Sequence, residues 1–261
     1  MPSDQSANGS QIKSVARALT VIEALSAHRE GAELTALARE LSLPKGSVYR
    51  VLRTLLDFGY VRQDPVTERY ALGVRFLHIA ASVEHGTDVR ALARPALVRL
   101  SEQTAETVHL AVPENDHMVY IDKVESRRAV VMASRVGQQL PLHCSALGKA
   151  YLSVLAPDER RAVAARLPLE RRTARTLVDL DALLEDLEHC VERGFAIDDL
   201  ENEDGLRCVG AAIVDSRGSA VAALSVSAPA SRFSLPAARK VGRLCAQLAD
   251  EVSEALGAPA A

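Results

Sequence analysis

The sequence of 261 residues contains no tryptophan, and its aromatic residues make up only 3% of the chain. Its hydrophobic cores must therefore be built from aliphatic side chains. No apolar run is long enough to span a membrane, and the N-terminus lacks the basic and apolar regions of a signal peptide. The four cysteines form no CxxC pair. We therefore expect reduced thiols in a cytoplasmic protein that has no membrane partner.

Several motifs of metal-binding and catalytic proteins are absent as well. The seven histidines show no spacing such as HxxxH, none pairs with a cysteine in a zinc-finger pattern, and no GxGxxG precedes a helix. Gly148-Lys149 is similar to the end of a phosphate-binding loop, but that loop requires glycine at the position of His143. We therefore expect no metal, no cofactor and no nucleotide hydrolysis.

The net charge of −3 conceals an uneven distribution of charge. Residues 1–75 carry ten Lys and Arg against eight Asp and Glu, whereas residues 76–261 carry 21 against 26. A chain of this length suits two domains, each large enough for its own core. Any contact with nucleic acid should therefore come from the N-terminal part.

The stretch from Ser42 to Val61 predicts an amphipathic helix that begins at Pro44. Apolar residues recur at helical spacing on one side of it. The opposite side carries polar and basic residues, namely Lys45, Ser47, Tyr49, Arg50 and Arg53. Such a helix suits the DNA major groove, where these side chains reach phosphates and base edges.

Two shorter helical patterns precede this stretch and complete a helix-turn-helix unit. On the first helix, the residues expected to face the core are Val15, Leu19, Ile22 and Leu25. Two short strands around Arg62 and Arg69 then flank a turn, which is typical of the wing of a winged helix. We predict a disordered leader at 1–11, a winged helix-turn-helix domain at 12–73 and a linker helix at 74–88. The apolar residues of the linker, Leu77, Ile79 and Val83, are alternatively a dimer seam.

The remaining residues, 89–261, predict an α+β domain because strands, helices and further strands follow one another. The first strands are predicted at 107–112, 117–121 and 129–133, and helices at 145–155, 157–166 and 179–193. Three more strands are predicted at 195–199, 209–215 and 220–227, before a closing helix at 235–256.

Two groups of motifs carry a resemblance to a known family. The N-terminal group consists of Leu43 to Val48, Leu55 to Val61 and Arg69 to Gly73. The C-terminal group is more discriminating and comprises Arg135 to Gly137, Leu140 to Ala150, Arg193 to Phe195 with Asp198 and Asp199, Glu203 to Cys208 and Ala223 to Pro229. Over nearly its whole length, the chain thereby resembles the IclR family of bacterial transcriptional regulators.

This resemblance implies a winged helix-turn-helix that binds double-stranded DNA, and a GAF-like α+β domain with an antiparallel sheet that binds a small effector, usually an organic acid. We expect a homodimer or homotetramer on a palindromic operator, acting as a repressor or an activator. The candidate DNA contacts are Ser14, Arg17, Lys45, Ser47, Tyr49, Arg50, Arg53, Arg62 and Arg69. The effector contacts implied by the family are Met132, Leu140, Ala146, Leu147, Asp198, Leu206, Cys208, Ser225 and Ser227.

Two of these assignments also have a physical basis in the sequence. Ser145 opens a predicted helix, whose first N–H groups and positive dipole end favour a bound carboxylate. Ser225 and Ser227 are two residues apart on a strand, so both hydroxyls lie on the same face. The alternative is that these hydroxyls bond only to neighbouring backbone groups.

Other interpretations compete with this one. His143 and Cys144 suggest an enzyme with a cysteine nucleophile, for which the helical N-terminus would be an interaction module. Adjacent residues on an extended segment point to opposite sides, however, so we expect no enzyme, and a Cys144 that packs as a small hydrophobe. The basic helix is alternatively the solvated side of a structural module. We interpret Glu201, Glu203 and Asp204 as a solvated acidic loop.

Overall fold

The computed structural model describes residues 12–28, 30–83, 89–126, 128 and 134–258, with the side chains of 80–83 left out. The chain divides into two compact units on either side of a boundary between residues 86 and 87. Within the described ranges, no helix combines the length and the apolar character needed to cross a bilayer.

The first unit is a winged helix-turn-helix, which confirms the predicted fold. Its elements are α1 (Lys13–Ala27), α2 (Leu34–Glu40), α3 (Lys45–Asp57), β1 (Val61–Gln63), β2 (Tyr70–Leu72) and α4 (Arg75–Val83). The strands β1 and β2 pair antiparallel, with Arg62 opposite Ala71. The turn between them is fixed by the Asp64 carboxylate, which accepts hydrogen bonds from the amides of Val66 and Thr67 at 2.9 and 2.8 Å.

The core of this unit is aliphatic, but α1 contributes a different face from the one predicted. Val21 and Leu25 of α1 are buried together with Leu52 of α3. The prediction was wrong for Val15 and Leu19, which are 53% and 55% exposed. The apolar arc of α1 is wider than the arc that α2 and α3 cover, so helical spacing alone did not identify the buried side.

The second unit is an α+β domain with an antiparallel sheet, as predicted. Its elements are α5 (Val89–Thr104), β3 (Thr107–Glu114), β4 (His117–Val124), β5 (Gln139–Pro141), α6 (Ala146–Ser153), α7 (Pro157–Arg166), α8 (Leu180–Arg193), β6 (Ala196–Asp199), β7 (Leu206–Val214), β8 (Ala220–Pro229) and α9 (Leu235–Ala255). The strand order is β5-β4-β3-β8-β7-β6. The strand β5 was not predicted, and the strand predicted at 129–133 lies outside the described residues.

Helices cover both faces of this sheet, and each face has its own core. The helices α5 and α9 pack on a cluster that includes Leu224 and Val226 of β8. The helices α6, α7 and α8 pack on a second cluster that includes Ala223. Because side chains alternate along a strand, Ser225 and Ser227 lie on the side of α6. The sheet thus presents two hydroxyls beneath the start of that helix.

Candidate effector cavity and nucleic-acid interface

The first turn of α6 is held rigidly against the turn before it. The hydroxyl of Ser145 accepts a hydrogen bond from the Gly148 amide at 3.1 Å and donates one to the carbonyl of Pro141 at 2.6 Å. A Cβ at Gly148 would lie 2.4 Å from the Cα of Leu142, so no side chain fits there. The amides of Ala146 and Leu147 have no partner among the described residues. Two N–H donors at the positive end of the helix dipole are therefore available to an anion.

The sheet under this helix start presents polar residues in register. Cys208 of β7 lies opposite Asp198 of β6 on one side and opposite Ser227 of β8 on the other. Gly210, opposite Ser225, has no side chain, and a Cβ there would be 3.1 Å from the carbonyl oxygen of Ala146. This glycine lets the helix start approach the strands closely.

A cavity of about 320 Å³ lies between the helix start and the sheet, which is within the usual range for small-molecule sites. The residues of the predicted effector set that line it are Leu140, Ala146, Leu147, Asp198, Leu206, Cys208, Ser225 and Ser227. The ninth, Met132, lies outside the described residues. In the described part of the chain, neither serine hydroxyl bonds to a backbone group. Among the described residues, these hydroxyls therefore do not bond only to neighbouring backbone groups, and the hydroxyl of Ser227 instead bonds to the thiol of Cys208 on the next strand.

The cavity also includes residues that sequence reasoning missed, namely Tyr120, Ser134, Gln138, Asn202 and Glu203. They come from strand β4, from the segment before β5 and from the loop after β6. No sequence motif connects these segments, and only the strand order brings them to one place. No lysine or arginine is among the described residues that line the cavity.

Asp198 is the buried acid of the cavity, with 2% of its surface exposed. One of its oxygens, Oδ1, accepts hydrogen bonds from the amides of Glu201 and Asn202 at 2.8 and 3.3 Å. Burial, together with the charge of Glu201, raises the pKa of Asp198 to about 7 although Lys149 and the amide donors oppose the shift. Near neutral pH this side chain therefore exchanges between its charged and neutral forms.

A buried ion pair joins α6 to the loop after β6. The ammonium of Lys149, which is fully buried, lies 2.7 Å from Glu201 Oε1 and 2.7 Å from Asp186 Oδ2. Burial alone would lower the pKa of Lys149, but the two carboxylates raise it above its ordinary value. The interpretation of Glu201 as a solvated acid was therefore wrong, since its charge is needed to balance a buried lysine.

His143 and Cys144 lie in a turn and not on the extended segment that the sequence suggested. His143 Nε2 lies 3.1 Å from the carbonyl of Glu170, and the thiol of Cys144 lies 3.8 Å from Asn202 Oδ1. Burial and the charge of Asp198 raise the pKa of Cys144 to about 12. A nucleophilic cysteine needs the thiolate form, which this site disfavours.

In the first unit, part of the predicted DNA-contacting set is grouped on one surface. Arg17 of α1 donates a hydrogen bond to the hydroxyl of Ser47 at 3.4 Å. Both line a shallow depression with Pro44, Gly46 and Arg50. Basic and polar groups of α1 and α3 thus converge at the N-terminal end of α3.

The other predicted DNA contacts flank this depression or lie on the wing. Tyr49 is 48% exposed on α3. Arg53 is also exposed and lies 3.7 Å from Asp57 one helical turn later. Lys45, Ser14 and Arg62 are exposed, whereas Arg69 is half-buried beside β2.

The two units together define a class of protein: a DNA-binding winged helix joined to a domain with a ligand-sized cavity. Within the described ranges, no cluster of His, Cys, Asp or Glu is arranged to hold a metal ion. Residues 14–65 match the IclR helix-turn-helix domain, and residues 81–254 match the C-terminal domain of the bacterial transcriptional regulator IclR. The chain belongs to the IclR family of bacterial transcriptional regulators.

Individual relatives agree with this assignment. The chain is 34% identical to the transcriptional regulator KdgR of Escherichia coli over 85% of this chain and 84% of that protein. It is 34% identical to the acetate operon repressor of Salmonella typhimurium over 95% and 91%. The crystal structure of the Thermotoga maritima IclR is 28% identical, covers 95% of this chain and 100% of its own, and superposes with a TM-score of 0.81.

Proposed function

We propose that this regulator binds a palindromic operator as a homo-oligomer and senses a small organic acid in the cavity beneath α6. The observation that carries the proposal is the cavity itself. Two amides at the start of α6, which have no partner among the described residues, line the cavity together with two serine residues of β8, while Leu140 and Leu206 supply apolar walls. Hydrogen-bond donors that converge opposite an apolar wall suit a ligand with a carboxylate and a short hydrocarbon chain.

DNA binding is assigned to the surface around Arg17, Ser47 and Arg50. A recognition helix enters the major groove with its N-terminal residues nearest the bases, and the depression lies at that end of α3. The wing residues Arg62 and Arg69 are assigned to phosphates beside the groove. Two copies are required because a single DNA-binding domain of this size binds DNA weakly.

The exposed side of α1 supports assembly with a second copy of the chain. Val15 and Leu19 are joined there by Ile12, which is 67% exposed. On α4, Leu77 is 73% exposed. Contiguous apolar side chains on a surface are typical of an interaction site, and a palindromic operator needs a partner related by a two-fold axis.

The effector assignment is tested by a thermal-shift screen of the purified chain against small carboxylates. An acid at one hundred times its Kd should stabilise the second unit by about 2.7 kcal/mol, or roughly 5–10 °C in Tm. Ser225→Ala should abolish the shift, whereas Ser216→Ala, in the exposed turn between β7 and β8, should retain it. A screen in which no carboxylate raises Tm would refute the assignment.

The DNA assignment is tested by fluorescence anisotropy on a promoter fragment at fixed salt. Arg50→Ala should cost roughly 1–3 kcal/mol if Arg50 reads a base, and less if it contacts only phosphate. Arg217→Ala removes the same charge from an exposed turn of the second unit and serves as the control. Unchanged affinity of Arg50→Ala at matched salt would remove Arg50 from the interface.

A further inference from the structure

Helix α9 has one exposed side on which the charges are segregated by sign. Arg239 and Arg243 lie in its N-terminal half, and both are exposed. Asp250 and Glu254 lie in its C-terminal half and are exposed as well. Successive members are four, seven and four residues apart, so all four side chains fall in one narrow stripe of the helix surface. We call these four residues the charged stripe.

Within the chain, the charged stripe is unfavourable. Like charges four residues apart on a helix repel each other, and each end of the stripe consists of such a pair. Glu254 also lies in the last turn, where the helix dipole disfavours a negative charge. Burial and the charge of Glu254 raise the pKa of Asp250. The neighbouring Glu251 pairs with Arg99 of α5 at 2.5 Å, whereas no member of the stripe has an ion-pair partner among the described residues.

The same stripe is complementary to itself when its direction is reversed. Arg239 and Glu254 lie at equal distances from the centre of the stripe, about 11 Å at the rise of an α-helix. Arg243 and Asp250 are also equidistant from that centre, at about 5 Å. A two-fold axis through the centre therefore places each arginine of one copy opposite a carboxylate of an antiparallel copy. Each ion pair then occurs twice, once on either side of the axis.

We propose that the charged stripe of α9 is a self-association surface, on which a second copy of the chain binds antiparallel across a two-fold axis. A second copy is the occupant because its own stripe, in reverse order, matches both the basic and the acidic end. Nucleic acid would match the basic end alone and would be repelled by the acidic end. This surface is separate from the exposed apolar side of α1, and the use of both surfaces joins dimers into a tetramer. The inference thus rests on the proposed homo-oligomer and specifies a second contact for it.

The test compares two full-length variants by analytical ultracentrifugation at low salt. Arg239→Glu with Arg243→Glu makes the stripe wholly acidic, and Asp250→Arg with Glu254→Arg makes it wholly basic. Each variant should repel its own copies across the axis and lose at least roughly tenfold in self-association affinity. An equal mixture of the two variants should regain the mass of the wild type, because every carboxylate of one meets an arginine of the other. Arg217→Glu reverses a charge in the exposed turn between β7 and β8 and should leave the mass unchanged.

Recovery of the mass in the mixture requires both variants to be folded, so unfolding cannot imitate it. The inference is wrong if either variant alone has the mass of the wild type, or if the mixture stays as light as its components. It is also wrong if the acidic variant loses affinity for DNA and keeps the wild-type mass, since the basic end would then bind DNA. If the wild type and both variants are all dimers, the α9 surface fails and the proposed homo-oligomer stands. If all three are monomers, both proposals fail.

Discussion

The affinity for an acid effector should fall as the pH rises through about 7, because Asp198 must be neutral beside a bound carboxylate. Its carboxyl lines the cavity, where the described lining offers no cationic side chain to offset two negative charges. The charged or titratable groups that act on Asp198, or on which it acts, are Glu201 after β6, Lys149 of α6, Cys208 of β7, Tyr120 of β4 and Cys144 before α6.

The size of this fall in affinity follows from the pKa of Asp198, which is about 7. The neutral fraction of Asp198 falls from roughly nine-tenths at pH 6 to roughly one-tenth at pH 8. The Kd should therefore rise about tenfold over this interval, which corresponds to about 1.4 kcal/mol. Above pH 8 the limiting slope is about one tenfold change per pH unit. Binding should take up close to one proton at pH 8 and almost none at pH 6.

Calorimetry in buffers of different ionisation enthalpy measures both the Kd and this proton uptake. Asp198→Asn keeps an acceptor for the Glu201 amide but stays neutral, so its affinity should not change between pH 6 and pH 8. An affinity that increases with pH, or a proton released on binding, would refute the reasoning. It would mean that the charged Asp198 accepts a hydrogen bond from the effector.

The stability of the ligand-free protein provides a check on the direction of the pKa shift of Asp198. A folded-state pKa above the ordinary value means that the stability contributed by Asp198 is present at low pH and lost as the pH rises through about 7. Relative to the wild type, Asp198→Asn should therefore be more stable at pH 8 than at pH 5. The opposite trend in Tm would indicate that the folded state prefers the charged form.

Three further predictions concern stability. Lys149→Met should lower the free energy of unfolding by roughly 3–5 kcal/mol in a denaturant titration, since it leaves Glu201 buried without its partner. Adding Glu201→Gln to this variant should restore part of the lost stability. A Lys149→Met variant as stable as the wild type would contradict the account. Gly148→Ala would place a Cβ 2.4 Å from the Cα of Leu142. We therefore expect the free energy of unfolding to fall by roughly 1–3 kcal/mol and calorimetry to show weaker acid binding. A variant with the Tm and the acid affinity of the wild type would argue against the tight turn. Gly46→Ala meets open space in α3 and should raise the stability of the first unit by up to about 1 kcal/mol in thermal unfolding. A lower Tm would argue that position 46 is not helical.

Most elements of the fold were predictable because each has a local signal. Pro44 and the apolar spacing after it predicted α3, and Gly194, which adopts a φ of 75°, ended α8 where a C-cap was expected. The buried side of α1 was not predictable from spacing, because its exposed apolar residues Val15 and Leu19 recur with the same periodicity as residues that face a core. The short strand β5 has three residues, too few for a pattern.

The cavity was only partly predictable for a related reason. Ser225 and Ser227 share a face by their spacing alone, and Ser145 caps a helix by a local rule. Tyr120 joins them only through the order of strands in the sheet, which no local pattern specifies. Glu201 was misinterpreted because its partner, Lys149, is 52 residues away in the sequence. Long-range pairing between charges cannot be inferred from the neighbours of either residue.

We propose that a ligand in the cavity of the second unit controls DNA binding by the first. It is tested most directly by measuring operator affinity with and without a saturating acid taken from the thermal-shift screen. We predict a change of roughly 5- to 150-fold at fixed pH and salt, with an equal reciprocal effect of operator DNA on the Kd of the acid. An acid that binds the cavity and leaves operator affinity unchanged would contradict the account.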